Sequence, residues 1–348
     1  MQQNSELQVA AVPMRVVGPM AIVYEGKAET VSIPLATYES PLWPSTARGA
    51  RVSRASGGIK LHVVDDRMTR SIVFEGTSAA DVIAASAELE TLRDAMAEVV
   101  AGTSRFCRLK AVHQRIVGRL WFLRLEVETG DAAGHNMVTL AADRVMQWLL
   151  ARQPSLRYVS ISGNYCTDKK VSAVNGILGR GKSVVAELVV SEPVCRRHLR
   201  SSPEAIASLH VKKNLIGSNL AGGIGTANAH VANLLLAFYL ATGQDAANIV
   251  EGSQAMVHAE VDHGNLYFSL SIPNIIVGTV GNGKDFDFVR TNLAAMGCEA
   301  ADPAGTSARR LAAICGGAAL CAELSLLAAQ TNPGELMRAH EKYERRRT

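Results

Sequence analysis

The residues best suited to chemistry are concentrated in the stretch SGNYCTDKK, residues 162–170, and in the glycine-rich NGILGRGK, residues 175–182. Two lysines, a carboxylate, a thiol, an amide and a hydroxyl lie here, directly after the largely apolar run 158–162. A polar loop after a strand is where α/β proteins usually keep their active sites. Nearby glycines would let the backbone approach a ligand closely. The pattern therefore predicts a functional site in this loop rather than a solvated turn.

The composition is that of an ordinary globular protein. With 348 residues, and about 150 residues per domain as a rule, two domains are expected. Hydrophobic residues make up 48% and charged residues 20%, which excludes a disordered chain. The net charge of +4 is too mild and too dispersed to indicate nucleic acid, but it suits an anionic small substrate.

The cysteines, the N-terminal sequence and one apolar segment indicate in which compartment the protein is expected. Six cysteines show no C-x-x-C pair, so they are interpreted as reduced thiols of a cytoplasmic protein. The first residues lack the basic region of a signal peptide, and residues 1–12 are predicted to be a frayed or partner-docked arm. Residues 311–329 are apolar enough to raise the question of a membrane span. Glu323 and two central glycines favour a buried core helix instead, so no membrane contact is expected.

The order of elements predicts an α+β fold. Between residues 71 and 162 the hydrophobic periodicity alternates between strand and helix, with strands at 71–74, 103–117, 118–128 and 158–162 and helices at 78–100 and 134–151. This β-α-β-β-α-β order is the ferredoxin-like arrangement. We expect a large α/β substrate domain, residues 1–70 and 161–348, into which a small cofactor domain, residues 71–160, is inserted.

Two segments of that small domain are typical of phosphate contacts. TSRFCR, residues 103–108, places a hydroxyl beside an arginine at a strand start. GDAAGHNM, residues 130–137, opens a helix with small residues, and a helix N-terminus offers free N–H groups to a phosphate. Neither is the G-x-G-x-x-G fingerprint, so a Rossmann site is not indicated. Asp131 could equally be a simple helix cap.

The second half of the chain offers further candidates. His230 and Asn233 share one face of an apolar helix at residues 227–241, where a histidine is more often a core residue than a catalyst. A hairpin at residues 255–272 leads into a strand and the G-x-x-G-x-G run 278–283. His340 lies on a terminal helix, which is either a mobile lid or a solvated charged tail. Glu39, among apolar neighbours, is a weak acid/base candidate.

Several of these segments together resemble the 3-hydroxy-3-methylglutaryl-coenzyme A reductases, over about residues 12–340. The motifs are SGNYCTDKK (162–170), GRGKS (179–183), NAHVAN (228–233) with ATGQD (241–245), and GTVG (278–281). The segment ATYESPLWPSTARG, residues 36–49, resembles the short soluble bacterial enzymes of mevalonate-pathway operons.

The resemblance implies reduction of a thioester to a primary alcohol with two NADPH, by way of mevaldehyde. It implies four catalytic residues: Glu39, Lys169, Asp245 and His340. A lysine ammonium suits the negative charge that develops on the thioester oxygen. A histidine suits protonation of the departing coenzyme A thiolate, and a glutamate suits protonation of the aldehyde oxygen. An aspartate beside Lys169 and Glu39 would tune both.

The resemblance also implies the binding residues. The hydroxymethylglutaryl group would be held by Arg70, Ser162, Asn164, Lys170, Lys213 and Asn233, with Ser45 and Arg48 near coenzyme A. The cofactor would be held by Ser104, Arg105, Asp131, Gly134, Asn136 and Gly281. Ser104 and Arg105 match the 2′-phosphate contacts, which favours NADPH over NADH. No metal is implied.

The family forms homodimers with shared active sites, so a homodimer is implied here, with any assembly beyond the dimer left open. An N-terminal Glu-Asn-x-x-Gly dimer motif is not evident in this chain. His135 and Asn282 replace residues that are commonly Met and Gly in the cofactor motifs of the family.

Three alternatives remain at this point. The same chemistry could run backwards, oxidising mevalonate with NAD⁺, although Arg105 argues against this. Cys166 could act as an acyl-accepting nucleophile, although no base is evident beside it. The chain could also be a non-catalytic acyl-coenzyme A-binding protein, although all four catalytic positions are retained.

Overall fold

The computed structural model describes residues 9–299 and 303–343, so most of the predicted N-terminal arm lies outside the described residues. The strands are β1 (Met14–Tyr24), β2 (Lys27–Ala36), β3 (Ile59–Gly76), β4 (Arg108–Val117), β5 (Leu120–Glu128), β6 (Leu156–Ile161), β7 (Gly181–Val190), β8 (Met256–Asp262) and β9 (Asn265–Ile275). The helices are α1 (Leu42–Ala55), α2 (Ala79–Ala87), α3 (Arg93–Ala101), α4 (His135–Arg152), α5 (Ala173–Leu178), α6 (Glu192–Val194), α7 (Pro203–Leu209), α8 (Ser218–Leu220), α9 (Val231–Ala241), α10 (Ile249–Gly252), α11 (Asp287–Ala295), α12 (Thr306–Gln330) and α13 (Glu335–Tyr343). Short segments Cys195–Leu199 and His210–Gly217 are π-helical, and Ala246–Asn248 is a 3₁₀ turn.

The large sheet has the strand order β2-β1-β3-β7-β9-β8. Strand β1 runs parallel to β3, and the other neighbours are antiparallel. The predicted hairpin at residues 255–272 is confirmed as β8 and β9. His263 and Gly264, the two residues of its turn, have φ angles of 48° and 79°. Positive φ at both positions gives a tight turn that matches the twist of the strands.

Strand β3 belongs to two sheets. Arg67 pairs with Gly181 of β7, whereas Met68, the next residue, pairs with Val127 of β5. The second half of β3 lies between β5 and β6, and β4 flanks β5, all antiparallel. This pairing follows the β-α-β-β-α-β order read from the sequence. The predicted domain boundary after residue 70 falls within β3, and the separate domain remains a prediction.

The prediction of one helix over residues 78–100 is wrong, because α2 and α3 are separated by a turn at residues 88–92. The Thr91 hydroxyl donates to the Glu88 carbonyl. Such a local side-chain bond competes with the helical ladder. Helix α4, predicted at residues 134–151, is confirmed.

Helix α12 forms the centre of the larger of two hydrophobic cores. It is long and apolar enough to cross a membrane, but 94% of its most apolar stretch is buried inside the protein, as predicted for a core helix. Its Glu323 carboxylate accepts hydrogen bonds from the backbone N–H groups of Ala229 and His230, both at 2.7 Å. The acid inside α12 therefore fixes the start of α9, which carries Asn233.

Candidate active site

Two buried arginines hold the loop at residues 162–170. Arg124 on β5 donates to the carbonyls of Tyr165 (3.1 Å) and Gly179 (2.7 Å). Arg180, just before β7, donates to the Thr69 carbonyl (2.7 Å) and to Asp168 Oδ1 (2.6 Å). Both guanidinium groups are fully buried. The loop is therefore fixed to the strands on either side of it.

The loop backbone is strained. Asn164, Thr167 and Lys169 have φ angles of 59°, 60° and 54°. Residues other than glycine rarely adopt this region, and each such residue costs on the order of 1 kcal/mol or more. Strain of this kind persists only where surrounding contacts hold it, which the two arginines do.

The strained loop presents Lys169 to Asp245. The Lys169 ammonium lies 2.8 Å from Asp245 Oδ2, and both side chains are about half exposed, at 40% and 43%. Asp245 also accepts a hydrogen bond from the Ala247 N–H and so caps the 3₁₀ turn that follows α9. The structure thus joins two of the four predicted catalytic residues.

Charge in this region favours ionised carboxylates. Burial alone would raise the pKa of Asp245, but the hydrogen bonds from Lys169 and the Ala247 N–H outweigh it, so that this pKa is lowered. Burial likewise opposes the ionised Asp168, and the charges of Arg180 and Arg70 lower its pKa. Both carboxylates can therefore orient cations at neutral pH.

Most of the other residues predicted to bind the substrate lie in the loop or contact it. Arg70 on β3 lies 3.2 Å from Asp168 Oδ2, which brings it to the loop. Ser162 and Asn164 are part of the loop, with the Asn164 N–H donating to Ser162 Oγ. Lys170 Nζ donates to the Asp168 carbonyl. Lys213 lies in the π-helical segment His210–Gly217.

A cavity of about 720 Å³ contains a second group of predicted residues. Glu39, Ser45, Arg48, Asn233 and His340 all line it. Asn233 Nδ2 donates to Glu39 Oε2 at 2.7 Å. Ser45 Oγ lies 2.9 Å from Ser325 Oγ, so α1 and α12 meet at the cavity wall. Among the residues that the structure describes, neither Lys169 nor Asp245 lines this cavity.

The cavity wall is strongly basic, which the sequence reading missed. Its further cationic residues are Arg51, Arg197, Arg200, Arg338 and Lys342. The available signal was the spacing of Arg48 and Arg51, three residues apart on α1 and therefore on one face. His230, interpreted as a core residue, also lines the cavity, and among the described residues its buried Nε2 has no hydrogen-bond partner.

Helix α13 covers this cavity. Glu335 at its first position lies 2.6 Å from Arg48, and both side chains are mostly buried. Arg48 Nε also donates to Ser325 Oγ at 2.9 Å. The contact brings His340 to the cavity, and a mobile lid stays a prediction.

Ser104 and Arg105 lie in the turn before β4 rather than at a strand start. Ser104 Oγ accepts a hydrogen bond from the Phe106 N–H, and the Arg105 guanidinium stacks over the Phe106 ring at 4.6 Å. Arg105 is exposed, so it remains accessible to an anion.

Asp131 caps a helix, but not the one that follows it in sequence. Its two carboxylate oxygens accept from the N–H groups of Gly305 and Ala308 at the start of α12, both at 2.9 Å. Gly134 begins α4 with a φ of 94°, where a Cβ would come within 2.5 Å of Thr129. In the part of the chain that the structure describes, no side chain caps α4 and no acid lies in its first turn, which contains Asn136. Val280 bridges to Ala132, which places Gly281 near the same helix start.

Cys166 is fully buried, with its sulfur 2.8 Å from Ser162 Oγ. Burial opposes the thiolate, but hydrogen bonds from Ser162 and the Asp168 N–H lower the pKa of the thiol. Its burial argues against direct attack on an acyl group.

A family model of hydroxymethylglutaryl-coenzyme A reductase matches residues 1–345 of the chain. The chain belongs to the hydroxymethylglutaryl-coenzyme A reductase family. It is therefore an oxidoreductase, in agreement with the name reductase that its relatives carry. Among the described residues, no group of three His, Cys, Asp or Glu side chains is placed to hold a metal ion.

Relatives named 3-hydroxy-3-methylglutaryl-coenzyme A reductase extend over nearly the whole chain. The Pyrococcus abyssi protein is 42% identical over 337 residues, covering 96% of this chain and 82% of its own length. The Aeropyrum pernix protein is 40% identical over 343 residues, covering 97% and 81%. In Dictyostelium discoideum, reductase 2 is 40% identical over 341 residues, covering 96% and 64%.

Solved structures of the same family share the fold. The class II reductase from Streptococcus pneumoniae bound to NADPH has a TM-score of 0.74 and 17% identity, covering 95% of this chain and 88% of that chain. A second structure of the reductase from that organism has a TM-score of 0.73 at 17% identity, covering 95% and 87%. The predicted α+β fold class is confirmed.

Proposed function

We propose that the chain catalyses the NADPH-dependent reduction of (S)-3-hydroxy-3-methylglutaryl-coenzyme A to mevalonate and free coenzyme A by way of mevaldehyde. The observation that carries this proposal is the Lys169–Asp245 pair, presented by a strained and firmly held loop. A fixed ammonium group is suited to an oxygen that becomes negative during the reaction.

The roles of the chain's own residues follow from their chemistry. Lys169 donates hydrogen bonds to the carbonyl oxygen, first of the thioester and then of the aldehyde, while Asp245 keeps the ammonium group oriented. His340, on the lid helix, protonates the coenzyme A thiolate as it leaves. Glu39, oriented by Asn233, supplies the proton to the alcohol oxygen. Each thioester consumes two hydrides and two protons.

The residues at the start of α4 fit a dinucleotide. Among the described residues no side chain caps the helix N-terminus, and Gly134 allows the positive φ and the close approach to Thr129 with which the helix begins. Its N–H groups would hold the pyrophosphate, and Ser104 with the exposed Arg105 would hold the 2′-phosphate. Asp131 would act indirectly, because α12 already occupies its carboxylate. The nicotinamide supplies the hydride when bound.

The cavity under α13 fits the coenzyme A part of the substrate. Its five further cations, together with Arg48, surround a space of about 720 Å³. Arginine binds phosphate through paired N–H donors. When coenzyme A binds, one of its anionic phosphates would therefore replace the Glu335 carboxylate as the partner of Arg48.

A homodimer with shared active sites belongs to this proposal. Support comes from the cavity beside Glu39, because the described residues that line it do not include Lys169. Large apolar side chains on α5 and α8 are also exposed, Ile177 at 79% and Leu220 at 87%, and burying such side chains between subunits would favour association. A cytoplasmic location is also proposed, since free buried cysteines suit a reducing compartment.

The first test measures nicotinamide absorbance when purified protein meets hydroxymethylglutaryl-coenzyme A, with NADPH and NADH in parallel. Oxidation of two NADPH per thioester, with Arg105→Ala shifting the preference toward NADH, is the expected result. Preference of the unaltered protein for NADH would favour mevalonate oxidation as the working direction. Binding of the thioester without turnover would favour the acyl-coenzyme A-binding alternative.

The shared site is tested by mixing two inactive variants, Glu39→Gln and Lys169→Ala, under conditions where subunits exchange. Roughly half of the randomly formed dimers are mixed, and each has one intact site, so about a quarter of full turnover should return. A mixture as inactive as its components would show that both residues act within one subunit.

A further inference from the structure

Glu251 is a fully buried carboxylate on the short helix α10, in contact with the loop that carries Lys169. Its Oε1 accepts three hydrogen bonds: from the backbone N–H of Lys169 (3.1 Å), from Asn248 Nδ2 (3.0 Å) and from Arg180 Nε (3.3 Å). Within the described part of the chain, its Oε2 is buried without a partner.

These contacts join the two sides of the Lys169–Asp245 pair. Asp245 caps the turn Ala246–Asn248, which continues directly into α10. Glu251 therefore belongs to the same short segment as Asp245, while its carboxylate binds the backbone of Lys169. Arg180 completes the frame, because it also binds Asp168 beside Lys169.

Stability alone is a poor reason for this arrangement. Burial disfavours the ionised form and raises the pKa of the Glu251 carboxyl, despite the nearby Arg180 and the hydrogen bonds. A buried ion pair is often no more stabilising than apolar residues of similar size. What the carboxylate supplies, and an apolar side chain could not, is an acceptor for the N–H of a residue held at positive φ.

We propose that Glu251 is a positioning residue for the reduction, which together with Arg180 sets the placement of the Lys169 ammonium relative to Asp245. The inference rests on the proposed function, since it assigns the role of Lys169 to that reaction. The essential property is an acceptor oxygen at the Oε1 position rather than the negative charge.

The test compares Glu251→Leu, which removes the acceptor, with Glu251→Gln, which keeps one. Misplacing a catalytic group by about 1 Å can cost on the order of 100-fold in rate, so Glu251→Leu should lower kcat by roughly 30- to 100-fold. KM for the thioester should rise by less than kcat falls, because the cavity proposed to hold coenzyme A is lined by other segments than this loop. Glu251→Gln should recover kcat to within about fivefold of the unaltered protein.

The matched control is Glu29→Leu, which breaks another partly buried carboxylate–arginine pair. Glu29 lies 2.6 Å from Arg310, away from the loop. The kcat of Glu29→Leu should stay within about twofold of that of the unaltered protein. An equal loss of kcat in Glu29→Leu and Glu251→Leu would overturn the proposal, as would a failure of Glu251→Gln to recover activity.

A second readout does not depend on turnover. Hydrogen–deuterium exchange at residues 162–170 and 245–252 should rise in Glu251→Leu and remain unchanged in Glu29→Leu. Should Glu251→Leu be recovered unfolded, Asn248→Ala removes one donor from the same carboxylate, and it should produce the same changes at smaller size. Unaltered exchange in both segments would also overturn the proposal. Absence of turnover in the unaltered protein would instead refute the proposed function. In that case the hydrogen–deuterium exchange of Glu251→Leu would still decide whether Glu251 holds the loop.

Discussion

Asn233 Nδ2 donates a hydrogen bond to Glu39 Oε2 over 2.7 Å, which joins the first turn of α9 to the segment just before α1. The amide can only donate through its nitrogen, so Glu39 is the acceptor in this contact, and Glu39 also lines the cavity. Glu323 fixes the start of α9 from behind. The orientation of Glu39 is therefore determined by two helices of the large core.

Replacing Glu39 with glutamine should remove the proton donor and keep the contact with Asn233. We expect kcat to fall by about 100-fold or more, because positioned acid catalysis contributes roughly 10²–10⁴-fold. Steady-state NADPH oxidation measures the effect, and the exposed Glu260→Gln on β8 is the control. A Glu39→Gln protein with nearly full turnover would contradict the role of Glu39.

Replacing Lys169 with methionine should separate binding from reduction. The loss of one group that stabilises a developing oxyanion costs about 10²–10³-fold in kcat. Calorimetry with coenzyme A should show binding within a fewfold of the unaltered protein, since Lys169 is not among the described residues that line the basic cavity. Loss of coenzyme A binding together with turnover would contradict this separation.

Lys284 gives a pH-dependent prediction for stability. Burial lowers the pKa of this lysine from 10.5 to about 8, and its ammonium group donates to the Gly243 carbonyl. Between these two values the unfolded chain binds a proton that the folded protein does not, so stability should rise with pH in that range. Compared with Lys284→Met, the free energy of unfolding of the unaltered protein should increase between pH 8 and pH 10.5. Denaturant titrations of both proteins across this range would measure it, and parallel pH dependences would refute it.

The Arg48–Glu335 contact should control the docking of α13. Glu335→Gln weakens a charge-assisted hydrogen bond that contributes roughly 1.5–3 kcal/mol, so exchange of the amides in residues 335–343 should rise by about tenfold or more. Glu341→Gln, on the exposed part of the same helix, should leave this exchange unchanged. Equal protection in both variants would show that α13 is held by other contacts.

Gly49 should be intolerant of even one extra methyl group. An added Cβ would lie 2.1 Å from the Cys321 carbonyl oxygen, where α1 crosses α12. Forcing the helices apart should cost about 1–3 kcal/mol in Gly49→Ala, measured by denaturant unfolding. The control is Gly176→Ala on α5, where nothing lies within 4 Å, so its stability should be unchanged or higher. A Gly49→Ala protein as stable as this control would contradict the prediction.

Features with a regular period or a fixed local motif could be predicted from the sequence. Helices α4 and α12 have long, uninterrupted apolar patterns. The predicted bounds of α4 differ by one residue at each end, whereas α12 begins five residues before its predicted start. The break between α2 and α3 could not be predicted, because the same apolar spacing continues across it. Motifs located Lys169 and Asp245, but their 2.8 Å contact depends on the docking of distant segments.

Residues that act through long-range contacts were the ones missed. Arg124 appears in the sequence as an ordinary strand residue, and only the pairing of β5 with β3 brings it beneath the loop. Glu251 lies in a helix of one turn, where no periodicity marks a buried face. The role of Asp131 was also hidden, since its backbone partners in α12 come from the far end of the chain.

Strand β3 has a consequence for the mechanics of the molecule. One continuous run of 18 residues serves both sheets, with no flexible linker at the point of exchange. Any movement of the smaller sheet relative to the larger one must therefore bend or twist this strand along its length. Such a movement differs from a hinge, in which a few residues rotate freely. An excised fragment of residues 77–160 would also lack β3, the strand between β5 and β6. The smaller sheet is therefore incomplete without a strand that it shares with the larger one.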